Sequence, residues 1–354
     1  MTELGGTSAL VVGGAGFVGG NLVRELLARD AGRVLVVDNL LSAERENVPT
    51  DARVEFLEGS IADDAVLDRL EDEFDHVFHL ATYHGNQSSI ADPLADHENN
   101  LITTLKLFER MKGFSRLRKL VYAASGCTLA PHTYGEAEAV EEDGSVPLDL
   151  DSPYQISKVA GEFYAVYYHH QHELPTVRAR FQNVYGPGEV LGAGRWRGTP
   201  ATVWRNVTPT FIYRALKSLP LQLDNEGRAS RDFIHVTDIV DGLLRCATHG
   251  AGGDVYNLAS GTETSIRELA ETINRLCAND GNLELGPPRD WDRSGHRFGS
   301  TAKAKRDLGF EARVSLGDGL AGTVDWMKAN LEWVDACIKR HADRMELPAE
   351  LAAA

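Results

Sequence analysis

The sequence contains few cysteines and no long apolar run. Cys127, Cys246, Cys277 and Cys337 are scattered along the chain and lack the spacing of metal ligands. We therefore expect free thiols in a reducing cytoplasm, and no metal site. The apolar runs are far shorter than the ~20 residues that span a membrane. The N-terminus has no basic region followed by an apolar one, so we expect no signal peptide and no membrane partner.

Basic residues are also scarce. The 354 residues include 36 Lys and Arg against 52 Asp and Glu, which gives a net charge of −16. This balance argues against a sequence-independent nucleic-acid binder, because such proteins need a basic surface. An anionic small-molecule substrate would require the few arginines to be gathered at one place.

The first half of the chain alternates β-branched runs with helical patterns. This alternation is typical of βαβ units and predicts an α/β fold with a parallel sheet. The predicted strands cover 8–13, 33–38, 53–57, 76–81, 119–125 and 176–181, and the predicted helices 17–29, 63–72, 93–112 and 153–172. After Gly186 a Gly-, Pro-, Arg- and Trp-rich stretch predicts a long loop. Further helices are predicted near 209–218, 236–248, 265–278 and 316–339.

A glycine-rich turn follows the first predicted strand. In "SALVVGGAGFVGGNLVRELL", Gly13, Gly16 and Gly19 lie three apart between a strand and an amphipathic helix. Such glycines permit a sharp turn and let backbone N–H groups approach a pyrophosphate at the helix N-terminus. Asp38 ends the next strand, where an acid binds a ribose 2′-hydroxyl and repels a 2′-phosphate, so the pattern favours NAD over NADP. A purely structural glycine turn is the alternative.

A tyrosine and a lysine share one face of a later helix. In "DSPYQISKV", Ser152 starts the helix and places Tyr154 one turn before Lys158. A phenol has a pKa of about 10, and an ammonium at about 4 Å can supply much of the ~4 kcal/mol needed to bring it near neutrality. Ser125, at the end of a predicted strand, can provide a neighbouring hydroxyl. Alternatively, Lys158 forms a surface ion pair with Glu162, four residues further on.

These motifs together resemble the extended short-chain dehydrogenase/reductase family, specifically its nucleotide-sugar epimerases and dehydratases. The stretches that carry the resemblance are "GGAGFVGG", "VDNL", "HLATYHGNQSS", "DPLADHENNLITTL", "VYAASG", "SPYQISKVAGE", "RFQNVYGPG", "SRDFIHVTDIVDGLL", "VYNLASG" and "STAKAKRDLGF". The resemblance implies a doubly wound Rossmann-type sheet with a smaller C-terminal α/β substrate domain. It also implies domain boundaries: an NAD-binding domain over 1–185, to which 230–258 returns, a nucleotide-sugar domain over 186–229 and 259–345, and a flexible tail over 346–354.

The resemblance also assigns roles to individual residues. Tyr154 would be the catalytic base, Lys158 its activator and a ribose ligand, and Ser125 a hydrogen-bonding partner of the substrate. The implied NAD ligands are Gly13, Gly16, Phe17, Val18, Gly19, Asp38, Asn39, Ser60, Ile61, Leu80, Ala81, Asn100, Tyr154 and Lys158. Ser60 stands where an acid is expected to meet the adenine amine, and Asp63 could serve instead. The implied ligands of a nucleotide-diphosphate sugar are His84, Ser125, Asn183, Arg197, Arg231, Arg293 and Arg297.

The residues after Ser125 bear on the reaction. The related dehydratases carry an acid pair there, and the decarboxylases typically a glutamate two residues on, whereas this chain has Gly126 and Cys127. The resemblance therefore favours C4 epimerisation, in which NAD takes a hydride from C4 of the sugar, leaving a transient 4-keto sugar, and the same hydride is returned to its other face. "SGC" and "GRWRG" resemble GDP-mannose 3,5-epimerases instead, with Cys127 as an acid–base residue and Arg197 in place of that family's lysine. A dehydratase or decarboxylase remains a further alternative.

Two further expectations concern dimerisation and a non-catalytic role. The relatives usually dimerise through the helix after "ADPLADHENN" and the helix of Tyr154, and Phe163, Val166 and Tyr167 could form such a contact. The chain could also be a non-catalytic protein that binds NAD or a nucleotide sugar, because a fold does not determine a function. The intact set of Ser125, Tyr154 and Lys158 argues for the enzyme.

Overall fold

A parallel sheet forms the centre of the molecule. The computed structural model describes residues 3–83, 85–129, 133–195, 203–204 and 206–344. Its strands are β1 (Ser8–Val12), β2 (Arg33–Asp38), β3 (Val54–Glu58), β4 (His76–His79), β5 (Lys119–Ser125), β6 (Thr176–Phe181), β7 (Asn183–Tyr185), β8 (Leu221–Leu223), β9 (Ser230–His235), β10 (Val255–Leu258), β11 (Glu263–Ser265) and β12 (Leu283–Leu285). Seven of them form one sheet in the order β10–β6–β5–β4–β1–β2–β3, with parallel pairing throughout. The predicted doubly wound α/β fold is confirmed.

Helices cover both faces of this sheet and build a second apolar region beside it. The helices are α1 (Phe17–Ala28), α2 (Asp64–Leu67), α3 (Asn86–Ala91), α4 (Pro93–His97), α5 (Thr103–Met111), α6 (Pro153–His172), α7 (Val207–Leu216), α8 (Val236–His249), α9 (Ile266–Cys277), α10 (Ala302–Leu308), α11 (Leu316–Ala329) and α12 (Leu331–Lys339). Helices α1 and α8 pack on one face of the sheet, and helices α5 and α6 pack on the other. The second apolar region joins α7, α9, α11 and α12.

The six strands predicted in the first half are present. Five of them are largely buried in the sheet, whereas β3 lies at its edge and buries only Leu57. The predicted helix over 63–72 is shorter, covering only Asp64–Leu67. The acidic segment that follows has another use, since the Asp72 carboxylate accepts hydrogen bonds from the backbone N–H groups of Ser115 and Arg116.

Two predicted long helices are interrupted. Within 93–112 a π-helical segment, Glu98–Ile102, separates α4 from α5. The hydroxyls of Thr103 and Thr104 bond the carbonyls of Asn99 and Asn100, which supports this wider turn. The helix predicted over 316–339 breaks at Asn330, which leaves helical geometry and bonds the Trp326 carbonyl through its amide.

The described part of the chain contains no helix that is both long and apolar enough to cross a membrane. Cys246, Cys277 and Cys337 carry free thiols.

Candidate active site

A large cavity of 880 Å³ lies at the carboxyl ends of the parallel strands. Its walls include Gly13 after β1, Asp38 at the end of β2, Leu80 after β4 and Ser125 at the end of β5. The order of the sheet reverses between β1 and β4, and ligands of such sheets bind in the crevice at this reversal. The cavity continues to Arg231 on β9, so one space connects both sets of predicted residues.

The glycine turn gives a direct test of whether a dinucleotide fits. Gly13 has φ +86°, and a Cβ there would lie 2.5 Å from the Ala81 nitrogen; a Cβ on Gly19 would lie 2.2 Å from the Gly13 oxygen. The fold itself therefore requires these two glycines. Gly16 differs, because its φ of −73° is ordinary and its Cβ would meet only the Gly13 oxygen, at 3.3 Å. The absent side chain at Gly16 leaves the start of α1 open to the cavity, as close approach of a pyrophosphate requires.

Asp38 lies where the sequence predicts an acid for a ribose. Its side chain is buried at the end of β2 and accepts hydrogen bonds from the N–H groups of Ala15, at 3.0 Å, and Leu40, at 2.9 Å. Burial raises the pKa of the carboxyl group, and the two N–H donors oppose this shift. Each carboxylate oxygen keeps further acceptor capacity, which a ribose hydroxyl can use.

The structure brings together most of the predicted NAD ligands. The residues among them that line the cavity are Gly13, Gly16, Phe17, Val18, Gly19, Asp38, Asn39, Ser60, Ile61, Leu80, Ala81, Tyr154 and Lys158. Ser60 rather than Asp63 is part of the wall, although its hydroxyl also accepts from the Ala62 N–H at 3.1 Å.

Tyr154, Lys158 and Ser125 meet in the same cavity wall. Ser152 caps α6 by accepting from the Gln155 N–H, and Pro153 is the first helical residue, as the sequence predicts. The Lys158 ammonium lies 5.9 Å from the centre of the Tyr154 ring and donates to the Ala123 carbonyl at 3.0 Å. This places a positive charge beside the phenol that it would have to activate.

Lys158 is not the surface residue of the alternative interpretation. It is only 4% exposed, and Glu162 is engaged elsewhere. The Glu162 carboxylate accepts hydrogen bonds from Arg180 on β6 at 2.8 and 2.9 Å and lies 3.4 Å from Arg178. The helix and β5 approach closely because position 161 is glycine: a Cβ there would lie 2.2 Å from the Tyr122 hydroxyl.

A buried layer of polar aromatic residues lies under Lys158. Its ammonium is 5.3 Å from the centre of the Tyr122 ring, which in turn lies 5.7 Å from the His79 ring. His79 is fully enclosed and bonds the Thr104 hydroxyl at 2.9 Å. Burial, helped by the charge of Lys158, lowers the pKa of His79 to about 3, so this imidazole is neutral at physiological pH.

The far end of the cavity is rich in arginine. Asn183, Arg231 and Arg297 line it, as predicted. Arg231 donates to the carbonyls of Ser230 and Gly295 at 2.6 and 2.7 Å. Gathering guanidinium groups at one place is what a nucleoside diphosphate needs on a chain of net charge −16.

Two predicted ligands lie elsewhere. Asn100 is buried behind the cavity wall, where its carbonyl oxygen accepts from the Tyr83 N–H at 2.6 Å. Arg293 turns away from the cavity because two acidic residues hold it: it donates to the Asp151 carboxylate and to the Asp149 carbonyl, each at 2.8 Å. The expected direct contacts of these two residues with a ligand are therefore not supported by their placement.

Three further predictions fall outside the described residues. These are His84, Arg197 and the side chain of Cys127, whose backbone forms a short 3₁₀ turn over Gly126–Thr128.

The cavity also contains polar residues that sequence reasoning missed. Arg214 on α7 and Arg289 line its far end, and Asn86, Gln182 and Asn206 line its middle. Arg214 interrupts an otherwise apolar helical pattern, and Arg289 lies in the unusual stretch "PPRDWDRS". These local irregularities are the signals that could have revealed them.

The fold, the glycine turn and the Tyr–Lys–Ser set together define an extended short-chain dehydrogenase/reductase. Over residues 9–259 the chain matches the NAD dependent epimerase/dehydratase family. The protein belongs to this family of enzymes, and its cofactor is NAD.

Curated and solved relatives agree with this placement. The chain is 32% identical to a UDP-glucose 4-epimerase of Mycolicibacterium smegmatis, over 90% of this chain and 98% of that protein. It is 31% identical to a dTDP-glucose 4,6-dehydratase of Streptomyces antibioticus, over 94% and 96% of the two chains. The crystal structure of the Bordetella bronchiseptica enzyme WbmF in complex with NAD+ and UDP is similar, with a TM-score of 0.88 and 58% identity over 98% of this chain and 99% of WbmF.

Proposed function

We propose that this enzyme inverts C4 of a nucleotide-diphosphate sugar, with UDP as the nucleotide. One observation carries the proposal: the Tyr154–Lys158–Ser125 set and the arginine-rich end share one cavity. The similarity to WbmF, which was crystallised with UDP, supports the choice of nucleotide. When bound, NAD accepts a hydride from the sugar carbon and returns it.

The chain's own residues handle the proton and the orientation of the sugar. Tyr154 removes the proton of the C4 hydroxyl and later gives it back, and the Lys158 ammonium stabilises the phenolate form in between. The Ser125 hydroxyl holds the sugar oxygen. Arg231, Arg297 and Arg214 bind the diphosphate and fix the sugar at the other end.

The immediate surroundings of Ser125 favour epimerisation over dehydration. A dehydratase needs an acid next to the reacting sugar, and this chain has glycine at position 126. A Cβ on Gly126 would lie 2.2 Å from the Gln182 amide nitrogen, so Gln182 fills the space that an acidic side chain would need. Without that acid, the keto sugar is reduced again instead of losing water.

We further propose that two copies of the chain pair through the helices beside the site. The described structure exposes apolar side chains on α3, α4, the π-helical segment and α6, which pack side by side. We call this set the apolar surface: Ile90, Leu94, Ile102, Ile156, Phe163, Tyr164 and Tyr167. Leu94 is 76% and Phe163 62% exposed, and such a group of large apolar side chains marks an interaction surface.

A proton NMR time course in deuterated buffer tests the proposed reaction. The protein is incubated with single UDP-sugars, without added NAD, and each product is identified. We expect inversion at C4 without deuterium in the sugar. Deuterium at C3 or C5 in a product that keeps its C6 oxygen would instead indicate a 3,5-epimerase, in which Cys127 handles a carbon-bound proton. Loss of water with deuterium at C5 would indicate a dehydratase, because the hydrogen that reaches C6 is the hydride taken from C4 and only C5 is reprotonated from solvent.

A further inference from the structure

The segment between Ser125 and the Tyr154 helix is fastened to the far end of the cavity. We call residues 133–152 the strap, and residues 289–300 the arginine loop. The His296 N–H donates to the Thr133 carbonyl at 2.6 Å, and a Cβ on Gly295 would lie only 1.8 Å from that oxygen. The two segments are therefore in close backbone contact at the start of the strap.

An ion pair fastens the other end of the strap. The Arg293 guanidinium donates to the Asp151 carboxylate at 2.8 Å and to the Asp149 carbonyl at 2.8 Å. The Asp151 side chain is only 3% exposed, whereas that of Arg293 is 54% exposed. A guanidinium that bridges a carboxylate and a carbonyl holds both in a defined orientation.

Asp151 stands directly before the helix that carries the catalytic tyrosine. Its N–H donates to the Gln155 side chain at 2.6 Å, and Ser152, the next residue, is the cap of α6. Tyr154 is the second residue of that helix. A shift of Asp151 would therefore move the helix start and the tyrosine with it.

The arginine loop also forms part of the cavity wall. Arg289, Trp291, Asp292 and Arg297 line the cavity on either side of Arg293, which itself points to the strap. A nucleotide that binds this wall would therefore contact the arginine loop, which also holds Asp151.

We propose that the Arg293–Asp151 pair is a positioning clasp, which couples nucleotide binding to the placement of Tyr154. Arg293 is then a positioning residue and not a diphosphate ligand. This inference rests on the proposed function, because it assumes that a nucleotide occupies the arginine-rich end.

Hydrogen exchange with UDP as the probe tests the clasp. Wild type, Asp151→Asn, Arg293→Gln and Arg293→Lys are compared as NAD-bound proteins. Arg306→Gln is the matched control, because Arg306 is exposed and its guanidinium bonds its neighbour Asp307. Calorimetry gives the UDP affinity, and mass spectrometry gives the exchange of the amides of residues 151–158. We expect UDP to slow this exchange about tenfold in wild type and in the control.

In Asp151→Asn and Arg293→Gln the UDP-dependent slowing should disappear while UDP affinity stays near that of wild type, and Arg293→Lys should restore part of it. If Arg293→Gln instead lowers UDP affinity about tenfold or more and Asp151→Asn does not, Arg293 is a phosphate ligand and the clasp is wrong. Unchanged slowing in both variants would also overturn it. Failure of the wild type to bind UDP would remove the proposed function, and the coupling with it.

Discussion

At the scale of single residues, the glycines of the turn after β1 are needed for different physical reasons. Gly13 and Gly19 are required by the protein, because a side chain at either would overlap backbone atoms. A methyl group at Gly16 would not overlap the protein, so we infer that glycine is needed there for the close approach of the ligand.

This difference predicts that Gly16→Ala folds normally but binds NAD poorly. At the start of a helix the change should cost under about 1 kcal/mol of unfolding free energy. Gly19→Ala is the matched control and should destabilise the protein by several-fold more, about 3 kcal/mol, because its Cβ would overlap the Gly13 oxygen. Denaturant unfolding and the NAD content of the purified proteins check both. A Gly16→Ala protein that retains NAD as wild type does would contradict the assignment.

The proposed reaction also depends on the phenol of Tyr154. Tyr154→Phe should lower kcat by about 10²–10⁴-fold, because the proton acceptor is lost while the ring stays in place. UDP binding and NAD content should not change. Tyr164→Phe, on the same helix and 39% exposed, should retain full activity. Substantial turnover by Tyr154→Phe would show that another group is the base.

Residue types at fixed spacing explain why these sites could be predicted. The glycines, Asp38 and the Tyr154–Lys158 pair each belong to one local motif, and the sheet brings the motifs together. Local irregularities mark Arg214 and Arg289 as unusual but do not place them in the cavity, because that depends on how distant segments pack. Gln182 carries no local signal at all. The Arg293–Asp151 contact joins residues 142 apart in sequence, and no local pattern encodes it.

At the scale of elements, α6 is held against the sheet by a buried ion pair. Glu162, Arg180 and Arg178 lie between α6 and β6, and the side chains of Glu162 and Arg180 are 4% and 6% exposed. The pair lies one turn beyond Lys158 on the helix, so it fixes the part of α6 that carries the ammonium.

We predict that Arg180→Gln destabilises the protein by about 3–5 kcal/mol, because it leaves the Glu162 charge buried with a weaker partner. Arg29→Gln removes partly exposed ion pairs with Glu25 and Asp241, at side chains that are 38%, 39% and 23% exposed, and should cost only about 1 kcal/mol. Urea unfolding at neutral pH measures both. Equal effects of the two changes would mean that the buried pair does not anchor the helix.

The elements also show which features the hydrophobic periodicity of the sequence cannot predict. The apolar runs predicted the six strands because five of them are largely buried in the sheet and the edge strand β3 buries Leu57. At Glu98–Ile102 and at Asn330, side chains of Thr103, Thr104 and Asn330 bond backbone carbonyls, and such bonds do not disturb the apolar period. The short strands β7, β8, β11 and β12 have three residues each, too few for an alternating pattern.

At the scale of the whole molecule, buried neutral histidines make stability depend on pH. Burial lowers the pKa of His76 to about 4 and that of His79 to about 3. The unfolded chain takes up their protons near pH 6.5, so between about pH 6.5 and 4 it binds more protons than the folded protein. The free energy of unfolding should therefore fall with falling pH, by up to about 1.4 kcal/mol per unit for each histidine.

His79→Gln removes one of these groups and should flatten the dependence by up to about 1.4 kcal/mol per pH unit. Denaturant unfolding from pH 8 to pH 4.5 measures the slope. At pH 8 both histidines are neutral in either state, so the difference there reports packing alone. An unchanged slope would mean that His79 is charged in the folded protein.

The proposed dimer is also a property of the whole molecule. Phe163→Asp or Leu94→Asp should convert the dimer to monomers, because each places a charge on the apolar surface. Leu148→Asp is the control, since Leu148 is fully exposed on the strap and outside that surface. Light scattering after size exclusion gives the mass. A monomeric wild type would contradict the pairing.

The most direct test of the central claim follows an isotope at the reacting carbon. A UDP-sugar that carries deuterium at C4 is converted by the purified protein without added NAD, and its product is examined by NMR. If the enzyme inverts C4 by returning the hydride, the C4 epimer keeps its deuterium at C4, because the same hydrogen leaves and returns on the other face. A C4 epimer that has lost the label, or a product changed at another carbon, would show that the proposed reaction is wrong.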